Sequence, residues 1–377
     1  MNIALLTAIV SKKSGARAPL EIAKSLCKKG HLITIFAYDT VIEKETINEL
    51  KKANIPIIFI PKNKLLSPFQ LSKHLRHSTF DVISFHGTLP FFLGTLISTI
   101  PIVRTYYGIQ LNALIDKFYK GRPSLSARML NPITRFLIKE RERFMSVHSK
   151  KVISISKCTQ KEHKRLFSIE SSCSYLGTNY RRNIPKKKKI KDSIIILSVS
   201  RIIPYKGFHR LIYIFNKMRK KFNNIELIIV GSTPNIPYLT YLKKIAGENI
   251  IFKTNISDRQ LLSLYLTSDI YATLDRSLVF SLTILEAASF SLPTIALNLC
   301  AGKEEIIHEK TGYLANNEKE FEKYLEILIR NREIRSYMGK QARIHSFGFS
   351  WMNLANQYIK VFEEILSEKS ENYSFDV

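Results

Sequence analysis

Cysteine is scarce in this chain, with four residues among 377, and none of them forms a CxxC pair or has a histidine at ligand spacing. The sequence therefore predicts neither a disulfide framework nor a zinc site. Glycine is also sparse, with 14 residues, and the GxGxxG, P-loop and nucleophile-elbow patterns are absent. The usual signatures of dinucleotide binding and of triphosphate hydrolysis are thus missing.

Acidic residues are also few in comparison with basic residues. The chain has 31 Asp and Glu against 58 Lys and Arg, a formal net charge of +27. Residues 1–191 hold 35 basic and 11 acidic side chains, whereas residues 192–377 hold 23 and 20. We therefore expect a polyanionic or membrane-surface partner for the N-terminal half. We expect no nucleic acid, because the sequence has no recognition-helix motif and no aromatic platform with interleaved basic residues.

Long hydrophobic runs are also lacking. The longest apolar stretch, residues 82–103, is interrupted by His86, Pro90 and Pro101, which favours a strand, a loop and a short helix over a membrane-spanning helix. At the N-terminus, the apolar run MNIALLTAIV precedes its lysines, which predicts a first β-strand and not a signal peptide. We expect a cytoplasmic protein with at most peripheral membrane contact.

The chain length and the alternation of strands and helices predict two doubly wound α/β domains. We place an N-terminal Rossmann-like domain at residues 1–180 and a basic linker, with the run KKKK, at 181–192. A second Rossmann-like domain follows at 193–345, and a crossover helix with a tail occupies 346–377. The apolar residues near the chain end have helical spacing, so that helix packs on a core or clamps one domain to the other.

In open parallel sheets, ligands bind beyond the carboxyl ends of the strands. The segment SVSRIIPYKGF leaves a predicted strand and opens a helix, which places Arg201 and Lys206 beside free backbone N–H groups. A helix N-terminus with two cations is suited to a phosphate or a diphosphate. A solvated basic loop is the alternative.

Two further segments follow predicted strands. DRSLVFSLTILE leads into a helix, with N–H groups at Ser281–Thr283 and a carboxylate at Glu286 that is suited to ribose hydroxyls, unless it is an ordinary solvent-facing glutamate. The loop at 11–17 contains Gly15, which lets the backbone approach a ligand closely. One glycine is a weak signal.

Together these segments resemble the family 4 glycosyltransferases of the GT-B fold, which transfer sugars from nucleotide-diphosphate donors with retention. The resemblance runs along almost the whole chain. It is strongest in SVSRIIPYKGFHRLIYIF, LIIVGS and EAASFSLPTIALNLCAGKEEIIHEKTGYL, and it includes DVISFHGTLPFFLG and KVISISKCTQKEH in the N-terminal half. The GT-B fold implies a cleft between the two domains and a C-terminal helix that returns to the N-terminal domain.

The resemblance also implies roles for individual residues. Arg201 and Lys206 would hold the donor diphosphate and act in catalysis, and Glu286 would bind the nucleotide ribose. Apart from the resemblance, His86 in the N-terminal domain is a candidate catalytic residue that positions an acceptor or a sugar hydroxyl. An equally good alternative for His86 is a structural role, in which its hydrogen bonds are made within a tight loop. The full donor-binding set is Gly15, Arg201, Lys206, Gly231, Ser281, Leu282, Thr283 and Glu286; the sugar or acceptor contacts are Ala16, Arg17, Tyr107 and Asp275.

Two positions depart from the family pattern. Leu278 occupies the place of a glutamate that contacts sugar hydroxyls, and Tyr107 occupies the place of a histidine. A leucine cannot accept a hydrogen bond, so sugar recognition must be altered, compensated or lost. Asp275 is a candidate substitute carboxylate, and a structural aspartate at a strand end is its alternative.

The expected reaction is retaining transfer of a sugar from a UDP- or GDP-sugar to a membrane-linked or polysaccharide acceptor. No metal or other cofactor is expected, because the two cations can neutralise the leaving diphosphate. The basic segment 132–148, with its interspersed apolar residues, predicts a helix with its apolar stripe packed inward and its basic residues facing anionic lipid. A non-catalytic GT-B homologue that binds sugar nucleotides or polyanions is the competing hypothesis.

Overall fold

The computed structural model describes residues 1–12, 16–40, 43–63, 65–109, 118–119, 122–123, 131–178 and 193–374. The chain divides into two compact units. The first comprises residues 1–109, 136–177 and 350–377, and the second comprises residues 110–135 and 178–349. Each unit is built on a parallel sheet flanked by helices, so the predicted fold class is confirmed.

The first unit has a seven-stranded parallel sheet in the order β3-β2-β1-β4-β5-β8-β9. The strand order reverses between β1 and β4, which is where such sheets open a crevice at their carboxyl ends. The strands are β1 (Asn2–Thr7), β2 (Leu32–Tyr38), β3 (Ile57–Ile60), β4 (Val82–His86), β5 (Ile102–Tyr106), β8 (Lys151–Ser154) and β9 (Ser172–Cys173). In the second unit, β6 (Phe118–Tyr119) and β7 (Arg122–Pro123) form an antiparallel pair.

Helices cover this first sheet because their apolar residues pack on its strands, as Phe91 and Phe92 do in a cluster with Phe36 and Phe85. The helices are α1 (Arg17–Cys27), α2 (Lys44–Lys52), α3 (Leu66–Arg76), α4 (Leu89–Thr95), α5 (Asn131–Val147) and α6 (Lys157–Phe167). The N-terminus of α6 is closed by a capping box, in which the Ser156 side chain accepts from the N–H of Thr159.

Helix α5 corrects the sequence-based expectation for segment 132–148. Its apolar stripe is largely solvent-exposed, since Ile133, Phe136 and Leu137 each remain about 60% accessible. Only its C-terminal part packs inward, where the Phe144 ring lies edge-on to Phe92 with centroids 6.2 Å apart. Helical spacing identifies an apolar face but not which part of it is covered, so it did not identify the buried end.

A buried ion pair fixes α5 to the sheet. Arg104 on β5 is 3% exposed, and its guanidinium pairs with the Glu142 carboxylate of α5. The same guanidinium donates to the Glu142 carbonyl oxygen at 3.1 Å and to the Ser146 hydroxyl. From an interior strand of the sheet, the arginine therefore donates to three oxygens of one helix.

The last helix, α14 (Trp351–Ser374), belongs to the first unit although the second unit separates it from that unit in the sequence. It packs against α1, and its Tyr358 hydroxyl lies 2.6 Å from the Thr105 hydroxyl of β5. Its apolar face, including Tyr358 and Phe362, is buried. The predicted return of the C-terminal helix to the N-terminal domain is therefore confirmed.

The second unit has a six-stranded parallel sheet in the order β12-β11-β10-β13-β14-β15, with its order reversal between β10 and β13. The strands are β10 (Ile194–Val199), β11 (Ile225–Val230), β12 (Ile250–Lys253), β13 (Ile270–Ala272), β14 (Thr294–Leu297) and β15 (Gly312–Ala315). The helices are α7 (Phe208–Lys221), α8 (Ile236–Ile245), α9 (Asp258–Thr267), α10 (Leu282–Ser289), α11 (Gly302–Glu305), α12 (Glu318–Arg330) and α13 (Arg332–Ser346).

The sequence predicts strands at 193–200, 226–231, 250–253, 270–274 and 293–297 and helices at 208–222, 236–246, 258–267 and 282–289, and the structure has each of them within two residues of these bounds. Helices α2, α6 and α11 to α13 and strands β9 and β15 were not predicted. The linker predicted at 181–192 lies outside the described residues. The region 112–149, which the sequence predicts to be mostly helical, is described in part: it contains α5, but residues 118–119 and 122–123 form the strands β6 and β7 and not a helix.

The Arg104–Glu142 pair yields a stability prediction. Glu142→Gln removes the carboxylate and leaves a buried guanidinium without its counter-charge, so we expect the first unit to lose about 3–5 kcal/mol of unfolding free energy. Trp351, the only tryptophan, lies buried in the first unit and reports its unfolding by fluorescence in a urea titration. The control is Lys164→Gln, whose pair with Glu170 is exposed and whose loss should leave the midpoint unchanged. Equal midpoints for Glu142→Gln and wild type would contradict the prediction.

Candidate functional site

The candidate site of the second unit lies at the order reversal of its sheet, beyond the ends of β10 and β13. The loop after β10 turns through a short 3₁₀ segment, Pro204–Lys206, and ends at Gly207. Gly207 has a φ of 74°, and a Cβ there would lie 2.3 Å from the carbonyl oxygen of Leu274. Only glycine allows this approach, so the loop that carries Arg201 and Lys206 is pressed against the chain leaving β13.

Lys206 is held by Asp275, the predicted substitute for the missing sugar-binding glutamate. Its Nζ donates to Asp275 Oδ2 at 2.5 Å, and Asp275 Oδ1 accepts from the N–H of Ser277 at 2.9 Å. Asp275 is 5% exposed. Both of its oxygens are therefore engaged within the protein, which supports the structural alternative for Asp275, and sugar contact by it stays a prediction.

Tyr205 was missed by the sequence analysis, although it lies between the two predicted cations. Its hydroxyl accepts from Arg201 Nη2 at 2.9 Å, and its ring centroid lies 5.3 Å from Lys206 Nζ. Its carbonyl oxygen accepts from the N–H of Arg276 at 3.2 Å. The side chains of Arg201 and Arg276 are exposed, so this end of the sheet presents positive charge to solvent.

The predicted donor residues at the start of α10 form a connected hydrogen-bond network. The Ser281 side chain caps the helix by accepting from the N–H of Ile284, and its Oγ lies 3.0 Å from Thr283 Oγ1. Thr283 Oγ1 lies 2.7 Å from the Tyr271 hydroxyl, which lies 3.0 Å from the carbonyl oxygen of Val199. This network joins the N-terminus of α10 to the end of β10.

Glu286 is buried, with 4% of its surface exposed. Its Oε2 accepts from the Tyr265 hydroxyl at 2.9 Å, and the Tyr265 ring is stacked on Phe290 with centroids 5.3 Å apart. The glutamate is thus fixed one turn into α10, and ribose binding by it stays a prediction. An exposed helical glutamate, the alternative considered from the sequence, is wrong.

Leu278 does not take part in a polar site. It is 3% exposed and packs in a core cluster with Val230, Ile284 and Leu314. The side chain at this position therefore contributes to the core of the second unit.

Glu305 is a second residue that sequence reasoning missed, because nothing in the segment AGKEEII distinguishes it from Glu304. It is 2% exposed, and its Oε1 accepts from the N–H of Ser281 at 2.8 Å. Its Oε2 has no hydrogen-bond partner in the described part of the chain. Burial raises the pKa of Glu305 well above its ordinary value, and nearby Lys206 offsets this only in part. At the start of α10 there is thus a carboxyl group whose neutral form is favoured.

Gly231, at the end of β11, is also explained by packing. A Cβ at this position would lie 1.7 Å from the carbonyl oxygen of Ser200, the residue that follows β10. The glycine lets the two strand ends lie side by side next to the candidate site, and donor contact by it stays a prediction.

In the first unit, the structure brings two predicted residues together. Tyr107 OH lies 2.9 Å from His86 Nδ1, and Ser84 Oγ lies 2.9 Å from His86 Nε2. The imidazole is stacked parallel to the Tyr358 ring, and burial lowers the pKa of His86 to about 3. His86 is therefore a neutral ring with both nitrogens bonded, which supports the structural alternative; its catalytic role stays a prediction.

The remaining predicted residues lie at the start of α1. Ala16 is the N-cap residue and Arg17 is the first residue of the helix, both partly exposed. Gly15 lies outside the described residues. Within the described ranges, no three His, Cys, Asp or Glu side chains are grouped to hold a metal ion.

Comparison with known proteins gives two family matches. The model described as glycosyl transferases group 1 matches residues 180–345, and the model described as glycosyltransferase family 4 matches residues 15–174. Between them they cover both halves of the chain.

Individual relatives are more distant. An uncharacterized glycosyltransferase of Haemophilus influenzae is 29% identical over 204 residues, covering 52% of this chain and 56% of the relative. The Staphylococcus aureus capsular polysaccharide biosynthesis glycosyltransferase CapM is 26% identical over 161 residues, covering 41% and 42%. The chain thus spans about half the length of the curated relatives it matches.

Among solved structures, Anabaena HepE in complex with UDP and glucose superimposes with a TM-score of 0.76. The identity is 15%, and the match covers 97% of this chain and 100% of that one. At 15% sequence identity, this structural similarity is evidence for the shared fold alone.

The protonation of Glu305 yields a pH prediction. Its raised pKa means that the folded state binds this proton more tightly than the unfolded chain, so stability falls as pH rises above about 4.5, the ordinary glutamate value, towards the folded pKa. Glu305→Gln removes this titration. As pH rises above about 5, we expect the melting temperature of the variant to improve relative to wild type, as measured by circular dichroism. The control, Glu304→Gln at a partly exposed neighbouring site, should show no such trend; a pH-independent difference for Glu305→Gln would contradict the assignment.

Proposed function

Because the chain belongs to the glycosyltransferases of group 1 and family 4 with the GT-B fold, we propose that it is a retaining enzyme. It moves a sugar from a UDP- or GDP-sugar to a glycan or lipid-linked acceptor in the synthesis of a cell-surface polysaccharide or glycolipid. The observation that carries this proposal is that Arg201 and Lys206 both lie in the loop after β10, which the Lys206–Asp275 ion pair joins to the loop that leads into α10. The UDP and glucose bound to Anabaena HepE support a nucleotide-sugar donor.

The chemistry follows from where charge develops. When the bond between the sugar and the diphosphate breaks, the leaving group gains negative charge, and cations already in place stabilise it without reorganisation. Arg201 offers a forked donor, Lys206 a point charge, and the first N–H groups of α10 add the positive end of a helix dipole. These groups supply the neutralisation that magnesium gives in other transferases, so we propose that no metal is needed.

Retention is proposed on the basis of the family, and the residues near Lys206 bear on how it occurs. Asp275 is engaged by Lys206 and by the N–H of Ser277, and position 278 is a leucine buried in the core. Neither is suited to attack the anomeric carbon. We therefore propose departure and attack on the same face of the sugar.

We place the acceptor at an anionic membrane surface, on the cytoplasmic side. The first unit exposes apolar side chains on three helices: Phe69 on α3 is 70% exposed, and Leu93 on α4 and Phe136 on α5 are also exposed. Helix α5 carries Arg141 and Arg143 as well, both with exposed side chains. Apolar side chains with adjacent cations fit the headgroup region of an anionic bilayer. No helix within the described residues is long and apolar enough to cross a membrane.

A non-catalytic role is the second candidate, favoured by the burial of Leu278 and by Tyr107 at the expected histidine position. Such a protein would bind sugar nucleotides without turnover. A panel of UDP- and GDP-sugars separates the two candidates: a catalyst is stabilised against heat in a sugar-dependent way and releases the nucleoside diphosphate. Stabilisation without dependence on the sugar, and without release, would favour the binding protein.

Arg201→Ala tests the transferase directly. The side chain is exposed, so the fold should be retained, while the loss of a charge-assisted hydrogen bond to the diphosphate should lower kcat/KM by about 10- to 100-fold. Lys206→Ala should lower kcat/KM similarly and should also reduce stability, because it leaves buried Asp275 unpaired. The matched control is Lys243→Ala, an exposed cation on α8. Unchanged turnover of Arg201→Ala would refute its assignment.

Vesicle sedimentation tests the membrane proposal. We expect binding to vesicles of phosphatidylglycerol and phosphatidylcholine that weakens from 0.05 to 0.5 M salt, roughly a threefold shorter screening length, and none to phosphatidylcholine alone. Replacing both Phe136 and Leu137 with serine should reduce binding several-fold. Ile344→Ser, at an equally exposed apolar residue of the second unit, should have no effect. Salt-insensitive binding, or binding unchanged by the double substitution, would argue against this surface.

A further inference from the structure

Tyr205 makes a separate contact with each part of the candidate diphosphate site. Its hydroxyl is bonded to Arg201, its ring faces the Lys206 ammonium, and its carbonyl oxygen is bonded to the N–H of Arg276 in the loop after β13. The ring is partly exposed, whereas the adjacent Pro204 and Gly207 are buried. The tyrosine therefore stands at the surface of the site while its backbone is anchored beneath.

The two cations need different kinds of support. Arg201 is an exposed side chain with several rotatable bonds, and ordering such a side chain on ligand binding carries an entropic cost. The 2.9 Å bond to the phenol restricts it before any ligand arrives. Lys206 is already paired with Asp275, and the electron-rich face of Tyr205 stabilises its charge from a second side.

We propose that Tyr205 is a positioning residue that orders Arg201 and Lys206 for a diphosphate. This inference rests on the proposed function, since it assigns the same anion to the same site. It assigns Tyr205 no role in bond making: the phenol holds the guanidinium through its oxygen and the ring supports the ammonium.

The backbone and side-chain roles of Tyr205 can be separated. The bond from Arg276 N–H uses only the carbonyl oxygen, so it persists when the side chain changes. Tyr205→Phe removes the hydroxyl and keeps the ring over Lys206. Tyr205→Leu removes both side-chain contacts.

The test is calorimetric titration of the full chain with UDP, GDP, inorganic pyrophosphate and uridine. For Tyr205→Phe we expect about 3- to 10-fold weaker binding of pyrophosphate and of whichever nucleotide binds, with uridine affinity and melting temperature unchanged. Tyr205→Leu should bind these anions still more weakly. In an Arg201→Ala background, Tyr205→Phe should have no further effect, because the hydroxyl acts through the arginine.

Three results would overturn the inference: unchanged anion affinity in Tyr205→Phe, an equal loss for uridine, or a full additional loss in the Arg201→Ala background. If wild type binds the anions and Arg201→Ala weakens them while Tyr205→Phe does not, the inference alone fails. If neither nucleotide nor pyrophosphate binds to wild type, both the inference and the proposed function fail.

Discussion

The ion pair between Lys206 and Asp275 is the contact on which the candidate donor site depends. It joins the loop after β10 to the loop after β13, the two adjacent strands at which the sheet order reverses. Both partners are largely removed from water, and a buried charge requires a partner at close range. The pair therefore sets the position of Lys206, and the close approach of Gly207 to Leu274 sets the path of the loop that carries it.

Around this pair, the site combines cations at its surface with carboxyl groups that are masked inside. Asp275 is neutralised by Lys206, Glu286 is held by Tyr265, and burial favours the neutral form of Glu305. Leu278 removes another carboxylate from the family pattern and fills the core instead. The net effect is an end of the sheet that attracts anions, although the second half of the chain is nearly neutral as a whole.

In the proposal, the first unit combines exposed apolar and basic side chains on α3 and α5 for a different partner. Helix α5 packs inward towards its C-terminal end, where Arg104 and Glu142 fix it to the sheet. The exposed part of α5 was expected to be buried, because helical spacing identifies an apolar face without saying what covers it. His86 and Tyr107 were predicted separately, and it is the adjacency of β4 and β5 that makes them hydrogen-bond partners.

By itself, the sequence determined the two α/β domains and the succession of strands and helices along residues 193–297. It also placed Arg201 and Lys206 in the loop after a strand, and Glu286 in the helix that follows another. These features could be predicted because hydrophobic periodicity and helix-start chemistry are local properties. The sequence also determined the charge asymmetry. Tertiary structure alone decided that Asp275 serves Lys206, that Leu278 is core, and that Tyr205 and Glu305 belong to the site. These outcomes depend on which strands become neighbours and on which polar atoms burial leaves in need of a partner, and neither is encoded within any single segment.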